Sequence, residues 1–200
     1  MKLSPLGLIL LGLTLSSCVG LKNSPPIIKN NTFTDNNYPK IHLEFPFNIY
    51  LDDTQVQFGD NVKSYFYKMK TNDASISVYV QKEEIISGNY VFWGTDDAFK
   101  KKPFFLEKKK KGYCSTNIIK DKKYSYIEVE VRKYIGSKKL VKSNIYCNIG
   151  IIPSKEMWQE QNRETMKVFI NYTIGLCDQM FPSEPTAPYL DHEGKYALLN

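Results

Sequence analysis

The sequence predicts an α+β fold, an antiparallel β-sheet of about 5–7 strands packed against one long C-terminal α-helix. A chain of 200 residues, 42% hydrophobic and 14% aromatic, can bury a core and fits one domain. Its strand-like segments follow one another through short turns without helical crossovers, as antiparallel neighbours do. A single segment late in the chain carries an apolar stripe at helical spacing.

The chain opens with Met1-Lys2, a short positive start, and an apolar run from Pro5 to Leu15 that falls short of the about 20 residues a membrane span needs. Leu15-Ser16-Ser17-Cys18 follows: an aliphatic residue, two small ones and a cysteine. This segment resembles the lipobox of bacterial lipoproteins. The resemblance implies that signal peptidase II cuts between Ser17 and Cys18. It also implies that Cys18 carries a thioether-linked diacylglycerol and an acylated amino terminus, palmitate being a usual chain. A thiolate is the nucleophile such a transfer needs. At roughly 0.8 kcal/mol per buried methylene, two or three acyl chains make the lipid bilayer a lasting partner of acylated Cys18. Val19 stands where an inner-membrane lipoprotein would carry aspartate, which implies the outer membrane. The single Lys2 leans to a Gram-negative host, so the domain faces the periplasm. Residues 1–17 are thus a signal peptide absent from the mature protein.

Residues 18–40 combine Pro25, Pro26 and Pro39 with Asn23, Asn30, Asn31, Asn36 and Asn37 and show no sustained period, which predicts a flexible tether. The alternative is that Ile27, Ile28 and Phe33 dock on the domain as an irregular strand. A single globular domain is expected over 41–181. Ile41, Leu43, Phe45, Phe47 and Ile49 alternate with polar residues as in a half-buried strand, although Pro46 argues for an edge or a bend. Further strands are predicted at Val62 to Met69, Ser75 to Val80 and Asn89 to Trp93. The clearest lies at Tyr126 to Val131, where Ile127, Val129 and Val131 face one way and Glu128, Glu130 and Arg132 the other. Ile135-Gly136-Ser137-Lys138 then turns into a partner strand over Leu140 to Ile149. The helix begins near Ser154, an N-cap after Pro153, with Glu156 in its first turn; Trp158, Thr165, Phe169, Tyr172 and Leu176 form its stripe. Gly175 lies near its end. Residues 182–200, with Pro182, Pro185 and Pro188, read as an extended tail whose Tyr196 to Leu199 segment can pin back.

Catalytic and metal templates are missing from the sequence: no Gly-x-Ser-x-Gly, no Ser-x-x-Lys, no phosphate-cradling glycine loop, no Cys-x-x-Cys. His42 and His192 are isolated. Asp52-Asp53, Glu83-Glu84 and Asp96-Asp97 are adjacent pairs, whose members point to opposite faces of a strand and do not converge on one atom. No enzyme activity, cofactor or metal is expected. Three thiols remain beside Cys18. A disulfide between Cys114 and Cys147 across paired strands is the simplest pairing, Cys147 with Cys177 the rival, and three buried thiols the third option.

The net charge is +6, yet only Arg132 and Arg163 among 27 basic residues are arginine, which disfavours a nucleic-acid reader. Residues 100–142 hold 15 Lys/Arg against four Asp/Glu. Within them Lys100, Lys101, Lys102, Lys108, Lys109, Lys110 and Lys111 bracket an apolar knot. These lysines are candidate electrostatic contacts, or else they blunt the edge of a solvated hairpin. The functional expectation is a membrane-anchored envelope lipoprotein whose periplasmic domain binds a protein partner without catalysis. Its alternatives are an immunity lipoprotein neutralising a periplasmic toxin, a lysine-rich membrane-surface or glycan-binding module, and an enzyme with an unrecognised carboxylate site. A deep pocket with two converging acidic groups would mark the enzyme. The oligomeric state is left open.

Overall fold

The computed structural model describes residues 24–87, 103–120, 125–137, 140–154 and 163–186. Ten strands and a helix lie in these segments: β1 (Ile27–Lys29), β2 (Thr32–Asp35), β3 (Ile41–Glu44), β4 (Tyr50–Phe58), β5 (Val62–Lys70), β6 (Ile76–Ile85), β7 (Phe105–Lys109), β8 (Gly112–Lys120), β9 (Ser125–Ser137), β10 (Leu140–Ile151) and α1 (Arg163–Met180). Strands β4 to β10 form a seven-stranded antiparallel sheet in the order β4-β5-β6-β10-β9-β8-β7, and β1 to β3 form a second sheet of three. The Asn89 to Trp93 strand, the Ser154-capped first turns with Glu156 and Trp158, and Tyr196 to Leu199 lie wholly or largely outside the described residues, as do Cys18 and Lys100 to Lys102.

Alternation builds the large sheet. Rows of apolar side chains cross it in register, Val80 opposite Cys147, Cys147 opposite Val131 and Val131 opposite Cys114, then Val78, Ile149 and Val129 beside Thr116. All of these side chains are buried. The turn at Gly136 is required by its φ of 128°, where a Cβ would meet the Leu140 carbonyl oxygen at 2.3 Å.

The inner face of the large sheet has two covers. Helix α1 lies over β8 and β9, seating Met166, Phe169, Leu176 and Met180 in the core, with Tyr172 partly buried beside them. Thr173 meets Thr116 at 2.6 Å between hydroxyls. The three-stranded sheet covers β5 and β6. Phe33 is fully buried 5.1 Å from the Tyr67 ring, and the Asp35 carboxylate reaches Lys82 Nζ at 2.6 Å. The free edge of β3 is closed by a side chain of the helix: Gln179 Oε1 accepts from Glu44 N at 2.6 Å, and its Nε2 donates to Glu44 O at 2.9 Å.

These observations correct four expectations. The segment 24–40 is not a flexible tether, because β1 and β2 belong to the body. Its asparagines brace turns: Asn30 takes φ 55° between β1 and β2, Asn31 Nδ2 donates to Phe45 O at 2.9 Å, and Asn37 donates to Asp35 through both backbone and amide. The domain therefore begins before residue 41. The extended tail does not start at 182, since Thr186 N donates to Asp178 Oδ1 at 2.6 Å and Glu184 lies against the β7–β8 turn. The disulfide joins Cys114 to Cys177, with Cα atoms 5.9 Å apart, and Cys147 is a buried free thiol. Cys114 and Cys147 share a face, but β9 lies between their strands, so they stand about 10 Å apart, beyond disulfide reach.

Candidate functional site

The helix and the small sheet occupy one face of the large sheet. The opposite face presents the alternate residues of each strand: Tyr79, Gln81 and Glu83 from β6, Asn144, Tyr146 and Asn148 from β10, Tyr126, Glu128, Glu130 and Arg132 from β9, and Tyr113, Ser115 and Asn117 from β8. Polar side chains dominate here, and most are buried: Asn117 is 1% exposed, Asn144 2%, Glu130 4% and Glu128 6%. Buried polar groups need partners. Asn148 Nδ2 donates to Glu128 Oε1 at 2.7 Å and lies 2.9 Å from the Tyr146 hydroxyl, and Asn117 Nδ2 donates to Glu128 Oε2 at 3.2 Å. The Tyr113 hydroxyl donates to Glu130. Gln81 Nε2 holds Glu83 Oε1 at 2.8 Å, and Asn144 Nδ2 holds Glu83 Oε2 at 3.3 Å. The Asn117 carbonyl oxygen, buried and without a hydrogen-bond partner, is an exception.

The network fixes protonation states. Burial, then Glu130, pushes the Tyr113 phenol above its ordinary range; burial, then Glu130 and Glu128, does the same for Tyr146. Both phenols stay protonated across physiological pH, so they serve as hydrogen-bonding hydroxyls and not as bases. Behind them on the inner face, burial pushes the Cys147 thiol up to about 12, which leaves it inert as a nucleophile.

Two pockets open on this polar face. One, of about 300 Å³, is lined by Ser77, Tyr79, Tyr126, Glu128, Asn148 and Ile152. The other, of about 240 Å³, is lined by Phe66, Tyr79, Gln81, Tyr146 and Asn148, with Tyr67 and Val80 at its base. Tyr79 and Asn148 belong to both. Aromatic faces beside amide and carboxylate groups offer flat apolar contact together with donors and acceptors at fixed positions, the composition of a recognition surface.

The residues singled out from sequence lie elsewhere. Lys108, Lys110 and Lys111 are exposed at the β7–β8 turn. Lys109 is buried and corrects the expectation: its ammonium bonds Glu107 Oε1 at 2.6 Å and the Glu184 carbonyl. A further lysine of the basic stretch, Lys133, donates to the Met180 carbonyl at the end of α1, where the helix dipole favours a cation. Part of the positive charge therefore closes the helix end. Asp52 pairs with Lys68 at 3.0 Å and Lys70 at 3.4 Å, while Asp53 holds Thr54 N and Gln55, so the adjacent carboxylates diverge. His42 is exposed on β3, with Nδ1 3.0 Å from Thr34 Oγ1. Among the described residues no group of His, Cys, Asp and Glu is placed to hold a metal ion.

The polar face was missed as a site because its residues read as the solvent side of alternating strands. The available signal was the recurrence of amides and tyrosines on that side, Ser115-Asn117, Asn144-Tyr146-Asn148 and Tyr79-Gln81, where a plain solvent face carries lysine and glutamate. The chain matches no protein-family model, no curated protein and no solved structure.

Proposed function

We propose that this protein is a lipid-anchored, non-catalytic binding protein of the bacterial envelope, and that a protein partner docks on the polar face of its large sheet. The observation that carries the reading is the pair of adjoining pockets sharing Tyr79 and Asn148. Tyrosine and amide side chains supply rigid contact area and adaptable hydrogen bonds at low entropic cost, the combination found in protein-recognising surfaces. Among the described residues that line the larger pocket, Glu128 is the one carboxylate; Glu130 is held by Tyr113 and is not among them. In this reading the α+β body, closed by α1, presents the polar face as its working surface. Neutralisation of a periplasmic toxin is a special case of such docking.

The anchor rests on the lipobox segment ending at Cys18. From there to the body at residue 24 six residues extend at most about 20 Å, so the domain works close to the outer-membrane surface. Lipid labelling of the producing cell with radioactive palmitate is expected to mark the protein and to be lost in Cys18→Ala.

Docking is tested by a photo-crosslinking amino acid placed at Tyr79 and, in parallel, at Lys108. A discrete protein adduct from position 79, weakened several-fold by Tyr126→Ala, supports the reading. No adduct at 79, together with liposome binding abolished by about 0.5 M salt, would transfer the function to the lysine turn and the membrane-surface alternative.

A further inference from the structure

The two edges of the large sheet are treated differently. Strand β7 is short and lysine-bearing, and the chain after α1 lies against its end at the turn into β8, with Lys110 N donating to Glu184 Oε2 at 2.9 Å. These are the devices that keep an edge from pairing. Strand β4 at the other edge has nine residues, every one exposed, with no lysine and no proline. Val56 is 44% and Phe58 72% exposed on the same side of the strand, and Lys63 Nζ sits 5.2 Å above the Phe58 ring.

The hydrogen-bonding groups of this edge follow from the ladder. Gly59 N donates to Val62 O across the hairpin, so by alternation residues 53, 55 and 57 direct their backbone groups to β5. Thr54, Val56 and Phe58 direct theirs outward. Thr54 N is held at 2.8 Å by the Asp53 carboxylate, and the irregularity between Leu51 and Asp53 disrupts the start of the strand. The segment from Asp53 to Phe58 is thus a regular edge that no other described strand pairs, with Val56 and Phe58 as its apolar side chains.

We propose that β4 pairs antiparallel with β4 of a second copy of this chain about a two-fold axis at Val56, joining two large sheets into one. This register brings Val56 opposite Val56, Thr54 opposite Phe58, Gln55 opposite Gln57 and Asp53 opposite Gly59. No like charges face each other across Asp53 to Gly59. Glutamine opposite glutamine matches donor to acceptor, and each Phe58 ring lies diagonal to the other copy's Val56, removing both from water. Val56 exchanges both its N–H and its C=O with the other copy's Val56, and Phe58 N–H reaches the other copy's Thr54 C=O. Another protein's strand fits the same edge, but this chain carries the complementary sequence itself. The contact is small for a dimer, so association is reversible and concentration-dependent. It uses a different part of the molecule from the tyrosine pockets and does not depend on what they bind.

The test uses the full chain. In membranes of producing cells under mild oxidation, Val56→Cys is expected to give several-fold more disulfide-linked dimer than Lys70→Cys or the unaltered protein, since Cys147 is buried. In detergent, sedimentation of the unaltered chain is expected to move from monomer toward dimer with rising concentration. Val56→Pro removes only an outward N–H and is expected to stay monomeric with unchanged thermal unfolding. If that variant fails to fold, Val56→Lys delivers the same reading on a folded chain. Equal cross-linking at positions 56 and 70, or a folded position-56 variant that still dimerises, overturns the proposal.

Discussion

Lys82 shows how an interior charge is tolerated. Its ammonium and the Asp35 carboxylate are both shut off from water, 2.6 Å apart, and the remaining acceptor capacity of Asp35 is taken by the Tyr67 hydroxyl and the backbone and amide of Asn37. Lys82 also donates to Asn37 O at 3.2 Å and stands 4.6 Å over the Tyr65 ring. Removing one partner strands the other. Lys82→Met is expected to cost about 3–5 kcal/mol in urea unfolding, whereas Lys82→Met combined with Asp35→Asn costs clearly less. Burial raises the affinity of Asp35 for a proton, but the bonds from Lys82, Tyr67 and Asn37 outweigh it and hold the carboxyl below its ordinary value. The contribution of Asp35 is therefore complete above the unfolded value near pH 4 and is lost as pH falls toward the lower folded one. Asp35→Asn is expected to flatten the acid limb of a stability-against-pH curve relative to the unaltered protein.

At the scale of elements, two contacts decide how β8 and α1 are held. Gly112 opens β8 with φ 152°, and a Cβ there would fall 1.9 Å from the Arg132 carbonyl oxygen and 2.8 Å from the Phe181 ring. Gly112→Ala is expected to lower stability by about 2 kcal/mol or more, readable as a drop in thermal midpoint. The Cys114–Cys177 bond joins β8 to the helix across 63 residues of sequence, which by loop-closure entropy is worth about 4 kcal/mol. Cys114→Ala with Cys177→Ala is expected to lose most of that, with Cys147 still unreactive to alkylating reagents in the folded state. Strands β5, β6, β9 and β10 were legible in the sequence because their apolar residues recur at period two and are bounded by turns. The inner stripe of α1 at Phe169, Tyr172 and Leu176 was legible for the same kind of reason. Strand β4 escaped because it buries neither face and so shows no alternation. Strands β7 and β8 escaped because lysines and a glycine mask their pattern. The tyrosine–amide face escaped because nothing local tells a polar side chain that faces water from one that joins a buried network. Only the register, which sets Asn148 opposite Glu130 and diagonal to Glu128, does that.

On the scale of the molecule, the amino-terminal strands are part of the folding unit. Phe33, Leu43 and Phe45 enter the main core, and β3 is clasped by Gln179 of α1. A chain beginning at residue 41 lacks Phe33 and Asp35 and leaves Lys82 buried without its carboxylate. It is expected to unfold at a markedly lower temperature than a chain beginning at residue 24, which retains all three strands; differential scanning calorimetry of the two distinguishes them.

The clasp between Asp35 and Lys82 has a mechanical meaning as well. A load applied at the amino terminus, where the proposed lipid anchor would pull, would otherwise strip the β1–β2 hairpin from the body at little cost. With the carboxylate locked in the interior, the pull must first extract a charge from a dry site. Under the proposed anchorage the leash would thus be spliced to the buried interior of the molecule and not to a surface hairpin alone.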